Sequence, residues 1–498
     1  MIELRFRVDW GVALASISLR GFRNLEPTIV GFAEGTNYLF GPNGAGKTNL
    51  LEAIHYLAIG RSFRRCPDLD MLGFGRDVLA VSGTDESGDT AEIRFDGREK
   101  RILRNDIPVE KLSEYFGWLP VVVLLLEDIE LVKGAPGIRR NFLDVAIAKA
   151  GPSRKDSYHK DTKTQSQDGS KPEGRRQSTE GRSCSSPQPS PHRGEGERSE
   201  GEEAVGGQRW ADGGRREERS YIALTSEYRR AVSQYNRLLE RSGGSREPVA
   251  DQLSAWEQEL VLSGVPVYEA RLAKVGVLLE NAARHYERLA GHGAVFSYRS
   301  SIVSEGTRSE IVKGGQSPAL EAPQSGTVPT ISVMSPSDLA SAFRQRLAAT
   351  RERARALGHA VVGPHRDDIR ISRGERELRK FGSVGEQRLA GIALRLAEAD
   401  MILSAGRQRP VFLLDEVASE LDEQRSRMVL EMVAERGQMV YAAARRIARQ
   451  VQRTKDEGRS DDSVRDAGPS LDHLTTGPLD HFSGKEFHVE AGKVSEVS

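Results

Sequence analysis

The sequence predicts an α/β fold with a phosphate-binding loop at its centre and a set of long helices inserted in its second half. Three observations carry this. Gly41-Pro42-Asn43-Gly44-Ala45-Gly46-Lys47-Thr48 has the spacing G-x-x-x-x-G-K-[ST] between an apolar strand and an amphipathic helix. Val411-Phe412-Leu413-Leu414 followed by Asp415-Glu416 has the form of a buried parallel strand that delivers carboxylates at its C-terminal end. Apolar residues recur at helical spacing from Leu224 to Leu238 and from Leu253 to Leu289.

Taken in order, Ile17, Leu19 and Phe22 with Ser18 and Arg20 between them give a half-buried strand over residues 15–23. Thr36 to Phe40 is a strand leading into the loop, and Asn49 to Leu57 is a helix with Leu50, Leu51, Ile54 and Leu57 on one face. The loop glycines let the backbone turn its N–H groups onto one point, and the helix N-terminus adds positive potential there. Residues 41–48 are therefore expected to hold the phosphates of a nucleotide. Lys47 supplies a cation for the β- and γ-phosphates and counts as catalytic, while the Thr48 hydroxyl is expected to hold Mg²⁺. Short strands over Val78–Ser82, Ala91–Phe95 and Arg101–Arg104, broken by Gly88 and Gly97, predict a small antiparallel sheet beside the main one. Val121 to Leu126 reads as a strand buried on both faces, and about Gly137 to Lys149 as a charged helix.

Residues 151–220 change character. Ser, Gly, Glu, Arg, Pro and Gln dominate, and such a segment buries too little to offset ordering entropy, so a disordered insertion is expected. Residues 304–330 read as a second polar linker. A helix over Ser337–Leu357 ends at Gly358 and carries Arg344, Arg346, Arg351, Arg353 and Arg355. That strip is a candidate for facing phosphates, although such a run is more often a solvated face. Four segments follow: 1–149, the half bearing the phosphate loop; 150–345, helical, with the insertion and linker; 346–450, the second half of the site; and 451–498, a partly disordered tail.

In that second half, Asp415 is placed to hold Mg²⁺ through water and Glu416 to polarise an attacking water as a catalytic base. Upstream, Ser383-Val384-Gly385 opens a helix with Leu389, Ile392 and Leu396, presenting a hydroxyl and free N–H groups. An ordinary helix cap explains this equally well. If it is an anion site, Ser383 and Gly385 act in trans, on the γ-phosphate held by a second subunit, because the phosphate loop already occupies its own. Ser419-Glu420-Leu421-Asp422 follows the acidic pair by a few residues.

Composition bounds the class. Hydrophobic residues make up 38%, below the roughly 45–50% of globular domains, so part of the chain cannot join a core. Lys+Arg and Asp+Glu both number 72, so any nucleic-acid surface is a local patch. The two cysteines, Cys66 and Cys184, have no metal spacing and fit a reducing cytoplasm. The apolar run Val12 to Ile17 is too short for a signal sequence, and no run reaches membrane-spanning length. A soluble cytoplasmic protein without a membrane partner is expected.

The order of phosphate loop, signature serine, acidic strand end and Ser-x-Leu-Asp loop resembles ABC-type ATPases of the SMC group. More narrowly, the chain resembles the RecF family of bacterial recombination mediators. The matching stretches are Leu19-Arg20-Gly21-Phe22-Arg23-Asn24, Asn49-Leu50-Leu51-Glu52-Ala53-Ile54, Arg61-Ser62-Phe63-Arg64, Glu130-Leu131-Val132-Lys133-Gly134-Ala135-Pro136, Arg139-Arg140-Asn141-Phe142-Leu143-Asp144 and Gly363-Pro364-His365-Arg366-Asp367-Asp368. They span roughly residues 15–150 and 221–450. The chain departs from the family at Leu126, where proline is usual before Glu127-Asp128. It departs again at Tyr441-Ala442-Ala443-Ala444, which replaces a more polar strand end and carries no switch histidine.

The resemblance implies an ABC-type P-loop ATPase head, a mixed sheet flanked by helices, with an inserted helical lobe and a short coiled-coil arm. It implies ATP and Mg²⁺ as cofactors and an ATP-dependent homodimer that clamps single-stranded or gapped DNA. Slow hydrolysis that resets the clamp is implied with it. It also implies partnership with RecO-like and RecR mediators in loading RecA at gaps, and a part in repair, replication, recombination and the SOS response. Two other readings are a transport or signalling ATPase of the ABC type with no DNA role, and a degraded scaffold. The arginine-rich segments and His365-Arg366-Asp367-Asp368 speak against the former, and intact Lys47, Asp415 and Glu416 against the latter.

Overall fold

The computed structural model describes residues 14–110, 115–151, 220–241, 250–302, 334–406, 408–417, 421–444 and 484–497. The expected insertion, apart from its first and last residues, the linker over 304–330, and Ser419-Glu420 lie outside the described residues. Strands β1 (Leu14–Arg20), β2 (Thr28–Gly31) and β3 (Thr36–Phe40) lead into α1 (Lys47–Ile59). Next come β4 (Leu79–Asp85), β5 (Thr90–Phe95), β6 (Lys100–Arg104), β7 (Ile107–Pro108), β8 (Val121–Leu125) and α2 (Pro136–Lys149). They are followed by α3 (Tyr221–Arg241), α4 (Ala250–Ala290), β9 (Val295–Arg299), α5 (Pro336–Leu357), β10 (Asp368–Arg373) and β11 (Arg376–Glu377). The last elements are α6 (Val384–Ser404), β12 (Val411–Asp415), α7 (Glu423–Ala434), β13 (Gln438–Ala443), β14 (Gly484–Glu490) and β15 (Lys493–Val497). Helix α5 runs across the segment boundary read at 345/346.

The central sheet has the order β15-β14-β3-β13-β12-β8, parallel throughout except for β15. Its inner strands are covered on both faces, which is why they read as unbroken apolar runs. On β8 and β12 the alternation is direct: Val121, Val123, Val411 and Leu413 enter one core with α1, while Val122, Leu124, Phe412 and Leu414 enter the other. The first core is shared with an antiparallel sheet of order β2-β1-β4-β5-β6-β7, the small sheet that the glycine-broken strands predict. The tail contributes more than its polarity suggests. Strand β14 pairs with β3, beside the phosphate loop.

Helix α4 packs along α3, α5 and α6 and buries Val275, Leu278, Leu279, Ala282 and Tyr286 in the second core. The α5 arginine strip is partly neutralised: Arg351 pairs with Glu257 through two hydrogen bonds of 2.9 and 2.5 Å, and Arg355 lies 3.5 Å from Glu352.

Two of the stretches that carry the resemblance, Arg139 to Asp144 and Gly363 to Asp368, form one packed network. Arg139 on α2 holds Asp368 at 2.7 and 2.9 Å, and Arg140 donates to the Asp367 carbonyl at 2.9 Å. The Asp367 carboxylate is fully buried and accepts from the Ser301 N–H at 2.7 Å and the Tyr298 hydroxyl at 2.5 Å. Arg271 bridges Asp144 at 2.8 Å and the Pro364 carbonyl at 2.6 Å. Paired buried charges of this kind fix geometry, because removal of one partner strands the other.

Candidate nucleotide-binding site

The site begins where β3 ends. Gly41 and Gly46 take φ of 149° and 119°, and a Cβ at either would strike a neighbour: Val489 O at 2.0 Å and Leu25 Cδ2 at 2.8 Å. Gly44 also has positive φ, but nothing lies within 4 Å of its Cβ position, so the crest of the loop is open. Lys47 opens α1, and its buried ammonium donates to the Gly41 and Pro42 carbonyls at 2.8 and 3.0 Å. Burial pulls its pKa down, against the pull of Glu416 and Asp415.

β12 delivers Asp415 alongside. Burial raises the Asp415 carboxyl, a hydrogen bond with the Thr48 hydroxyl lowers it, and the Glu416 and Glu127 carboxylates raise it further. Three carboxylates beside a hydroxyl form a hard-oxygen set, which suits Mg²⁺ bound by a carboxylate, a hydroxyl and phosphate oxygens. Glu416 adopts φ 52°, a left-handed conformation uncommon outside glycine, and its N–H donates to the Ala442 carbonyl at 3.0 Å. The apolar end of β13, a departure from the family pattern, thus acts here through its backbone.

These groups line a cleft of about 340 Å³ made by Asn43, Gly44, Gly46, Lys47, Thr48, Asn49, Arg64, Leu126, Glu127, Asp415 and Glu416. Of the residues expected at the site, Gly41, Pro42 and Ala45 do not line the cleft. Ser383 and Gly385 do not line it either. Ser383 caps α6: its Oγ accepts from the Glu386 N–H at 3.3 Å, and its own N–H donates to the Glu386 carboxylate at 2.9 Å. That backbone bond, with Arg373 2.6 Å away, holds the Glu386 carboxyl below its usual range. Phe381 and Val384 flank Ser383 with 68% and 56% of their surface exposed.

Two cleft residues, Arg64 and Glu127, have no role in the sequence reading. Arg64 is set by Glu52, a fully buried carboxylate on α1 that takes Arg64 at 3.1 Å, Arg23 at 2.8 Å and the Ser62 hydroxyl at 2.5 Å. The Arg61-Ser62-Phe63-Arg64 stretch marks the place, but only the fold shows which arginine turns inward. Next to Glu127, Asp128 accepts from Arg395 on α6 at 2.8 Å. Arg395 also reaches Glu398 at 3.0 Å, and Glu398 takes Lys149 at 2.6 Å. Burial pushes the Glu398 carboxyl up, but Lys149 and Arg395 outweigh it and hold Glu398 ionised. The edge of the cleft is therefore bonded to the helix that Ser383 caps.

A family model described as an AAA domain matches residues 16–174. The DNA replication and repair protein RecF of Geobacillus kaustophilus (strain HTA426) is 27% identical over 432 residues, 85% of this chain and 91% of that protein. RecF of Bacillus thuringiensis (strain Al Hakam) is 24% identical over 426 residues, 84% of this chain and 88% of its own length. A solved structure of the recombination mediator protein RecF-ATP in the RecFOR pathway has a TM-score of 0.66 at 20% identity and shares the fold over 98% of both chains. Sequence and fold agree: the chain is similar to the RecF proteins over most of its length and shares the fold of the solved RecF structure.

Proposed function

We propose that this chain is an ATP-dependent DNA-binding protein of recombinational repair that dimerises on ATP to clamp DNA at gaps. The relatives are named for DNA replication and repair, and the solved neighbour for a recombination mediator of the RecFOR pathway. RecO-like and RecR mediators are accordingly the proposed partners. One observation carries the reading: Lys47, Thr48, Asp415 and Glu416 meet in one cleft, while Ser383 sits outside it on an exposed apolar rim. A cleft that holds one half of a nucleotide site, with an exposed second half outside it, is what a site completed by a second copy requires.

In this reading residues 41–48 bind the triphosphate and Lys47 neutralises its β- and γ-oxygens. Thr48 and Asp415 hold Mg²⁺, which offsets phosphate charge when bound. Glu416 orients the attacking water, and Ser383 with the Gly385 backbone contacts the γ-phosphate of the other subunit. Hydrolysis is slow and serves as a switch. The Asp128–Arg395 bond ties the residue next to cleft-lining Glu127 to α6, the helix that Ser383 caps.

The test is the mass of the chain in solution without nucleotide, with ATP, and with ATP plus gapped DNA, beside Lys47→Ala. The expected result is a monomer that doubles with ATP and binds gapped DNA at least about tenfold more tightly in its presence, with both responses lost in Lys47→Ala. An ATP-driven dimer that ignores DNA favours the second reading, an ABC-type ATPase without a DNA role.

A further inference from the structure

Phe74 is the most exposed large apolar residue described, with its side chain wholly in solvent (106% of the reference). It stands at the tip of a fixed turn. Arg76 N–H closes the turn on the Gly73 carbonyl at 3.0 Å, and Gly73 N–H is pinned to the Gly21 carbonyl at 2.9 Å. A Cβ at Gly73 would meet the Arg23 carbonyl at 2.6 Å, so only glycine allows this approach. Gly75 takes φ 70° with nothing within 4 Å. With a glycine on either side, no neighbouring side chain in sequence covers either face of the ring. A ring bared on both faces in this way can enter a stack of bases.

The surrounding charge selects the occupant. Arg76 is exposed on the turn and Arg20 is exposed beside Gly21, whose Cβ position lies 3.6 Å from the Arg76 Cβ. Arg23 and Arg64 share the single carboxylate of Glu52, and Asp68 is neutralised by Lys100 at 2.7 Å. Exposed Asp70 and Asp77 do not cancel this positive excess. An aromatic ring among arginines fits a nucleic-acid strand, whose bases stack on the ring while its phosphates meet the cations.

The turn is also tied to the nucleotide cleft. Arg23 donates its backbone N–H to the Met71 carbonyl at 2.8 Å and its guanidinium to the Asp70 carbonyl at 3.1 Å. The same guanidinium grips Glu52, which positions cleft-lining Arg64. The Phe74 turn and the cleft are thus one ion-pair network apart.

We infer that Phe74, presented on the Gly73–Gly75 turn beside Arg20 and Arg76, stacks on an unpaired base of single-stranded DNA. This rests on the DNA-binding reading above and names the contact within it.

The experiment uses the full chain with ATP and two fluorescein-labelled probes of equal length, a single-stranded oligothymidylate and a blunt duplex. Phe74→Ala is expected to weaken oligothymidylate binding about tenfold, the scale of one lost base stack, with ATP affinity and the salt dependence of DNA binding unchanged. Phe74→Trp restores affinity, and the added indole fluorescence is quenched by the oligonucleotide. Arg76→Ala lowers the salt slope by about 0.7, as one lost phosphate contact on a single strand requires. If the parent binds oligothymidylate and Phe74→Ala binds it equally well, the stacking contact is overturned and the DNA-binding reading stands. If the parent binds neither probe with ATP, both fall together.

Discussion

The backbone N–H of Gly492 donates to the carbonyl of Ala45 at 2.8 Å, so the β14–β15 turn closes directly on the phosphate loop. Glycine is required on both sides of this contact. A Cβ at Gly492, where φ is 86°, would lie 2.0 Å from the Asn24 carbonyl, and one at Gly41 equally near that of Val489. Gly492→Val is therefore expected to push the hairpin off the loop. The lost hydrogen bond and the strained backbone together amount to about 1–2 kcal/mol, so the ATP dissociation constant rises about tenfold in a chain that still folds. Calorimetric titration with ATP, alongside circular dichroism, checks this; an unchanged dissociation constant would show that the loop holds its shape without the hairpin.

That contact also shows where reading the sequence stops. Strand, loop and helix from Thr36 to Ile59 are legible because each signal is local: an apolar run, a glycine spacing, a helical stripe. The Asp415-Glu416 pair is legible because an apolar strand that ends in acids has few other uses. Pairing of Phe487 with Leu39 is not, since no local pattern in Gly484–Val497 names a partner so far back in the chain. Arg64 is hidden for a related reason: its direction is set by Glu52, and its stretch offers several arginines of equal appearance. The His365-Arg366-Asp367-Asp368 motif reads at first as a pointer to DNA. In the fold, Asp367 is fully buried and Asp368 is held by Arg139. The motif's specificity is that of a packed junction.

His365 in that junction gives a pH-dependent prediction. Burial, with Arg366, Arg140 and Arg271 nearby, lowers its pKa to about 4, against a hydrogen bond to the Ala360 carbonyl. The neutral ring fits one tautomer: Nε2 faces the Ala360 carbonyl at 3.3 Å, and Nδ1 accepts from the Tyr228 hydroxyl at 2.7 Å. A folded pKa below the unfolded value of about 6.5 means that stability is fully present above pH 6.5 and is lost as pH falls toward 4. The shift is worth about 3 kcal/mol if complete. Urea melts at pH 7 and pH 4.5 are expected to show a steep loss in the parent and a shallower one in His365→Gln. Equal slopes in the two proteins would refute the assignment.

The last prediction concerns the division of the nucleotide site between two copies. Ser383 caps α6 on an exposed surface with Phe381 and Val384 beside it, away from the cleft that holds Lys47. If that surface closes on the partner's triphosphate, ATP favours the dimer because only the dimer offers both halves. Ser383→Arg places a long side chain at the closure surface. It is expected to leave ATP binding by the monomer within about twofold and to weaken ATP-driven dimerisation by about a hundredfold or more, as loss of a central interface contact does. Part of its effect is local, since loss of the serine cap costs about 1 kcal/mol of helix stability, so the melting temperature is measured as a control. Glu416→Gln acts in the opposite direction. The amide keeps the shape of a side chain held on a left-handed backbone but cannot polarise water, so the triphosphate persists and the closed dimer accumulates. By reciprocity, DNA that stabilises the dimer tightens ATP by the factor by which ATP tightens DNA. Analytical ultracentrifugation of both variants with ATP decides the matter. If Ser383→Arg dimerises like the parent, or the Glu416→Gln dimer lives no longer than the parent's, the nucleotide is not shared between subunits and each cleft works alone.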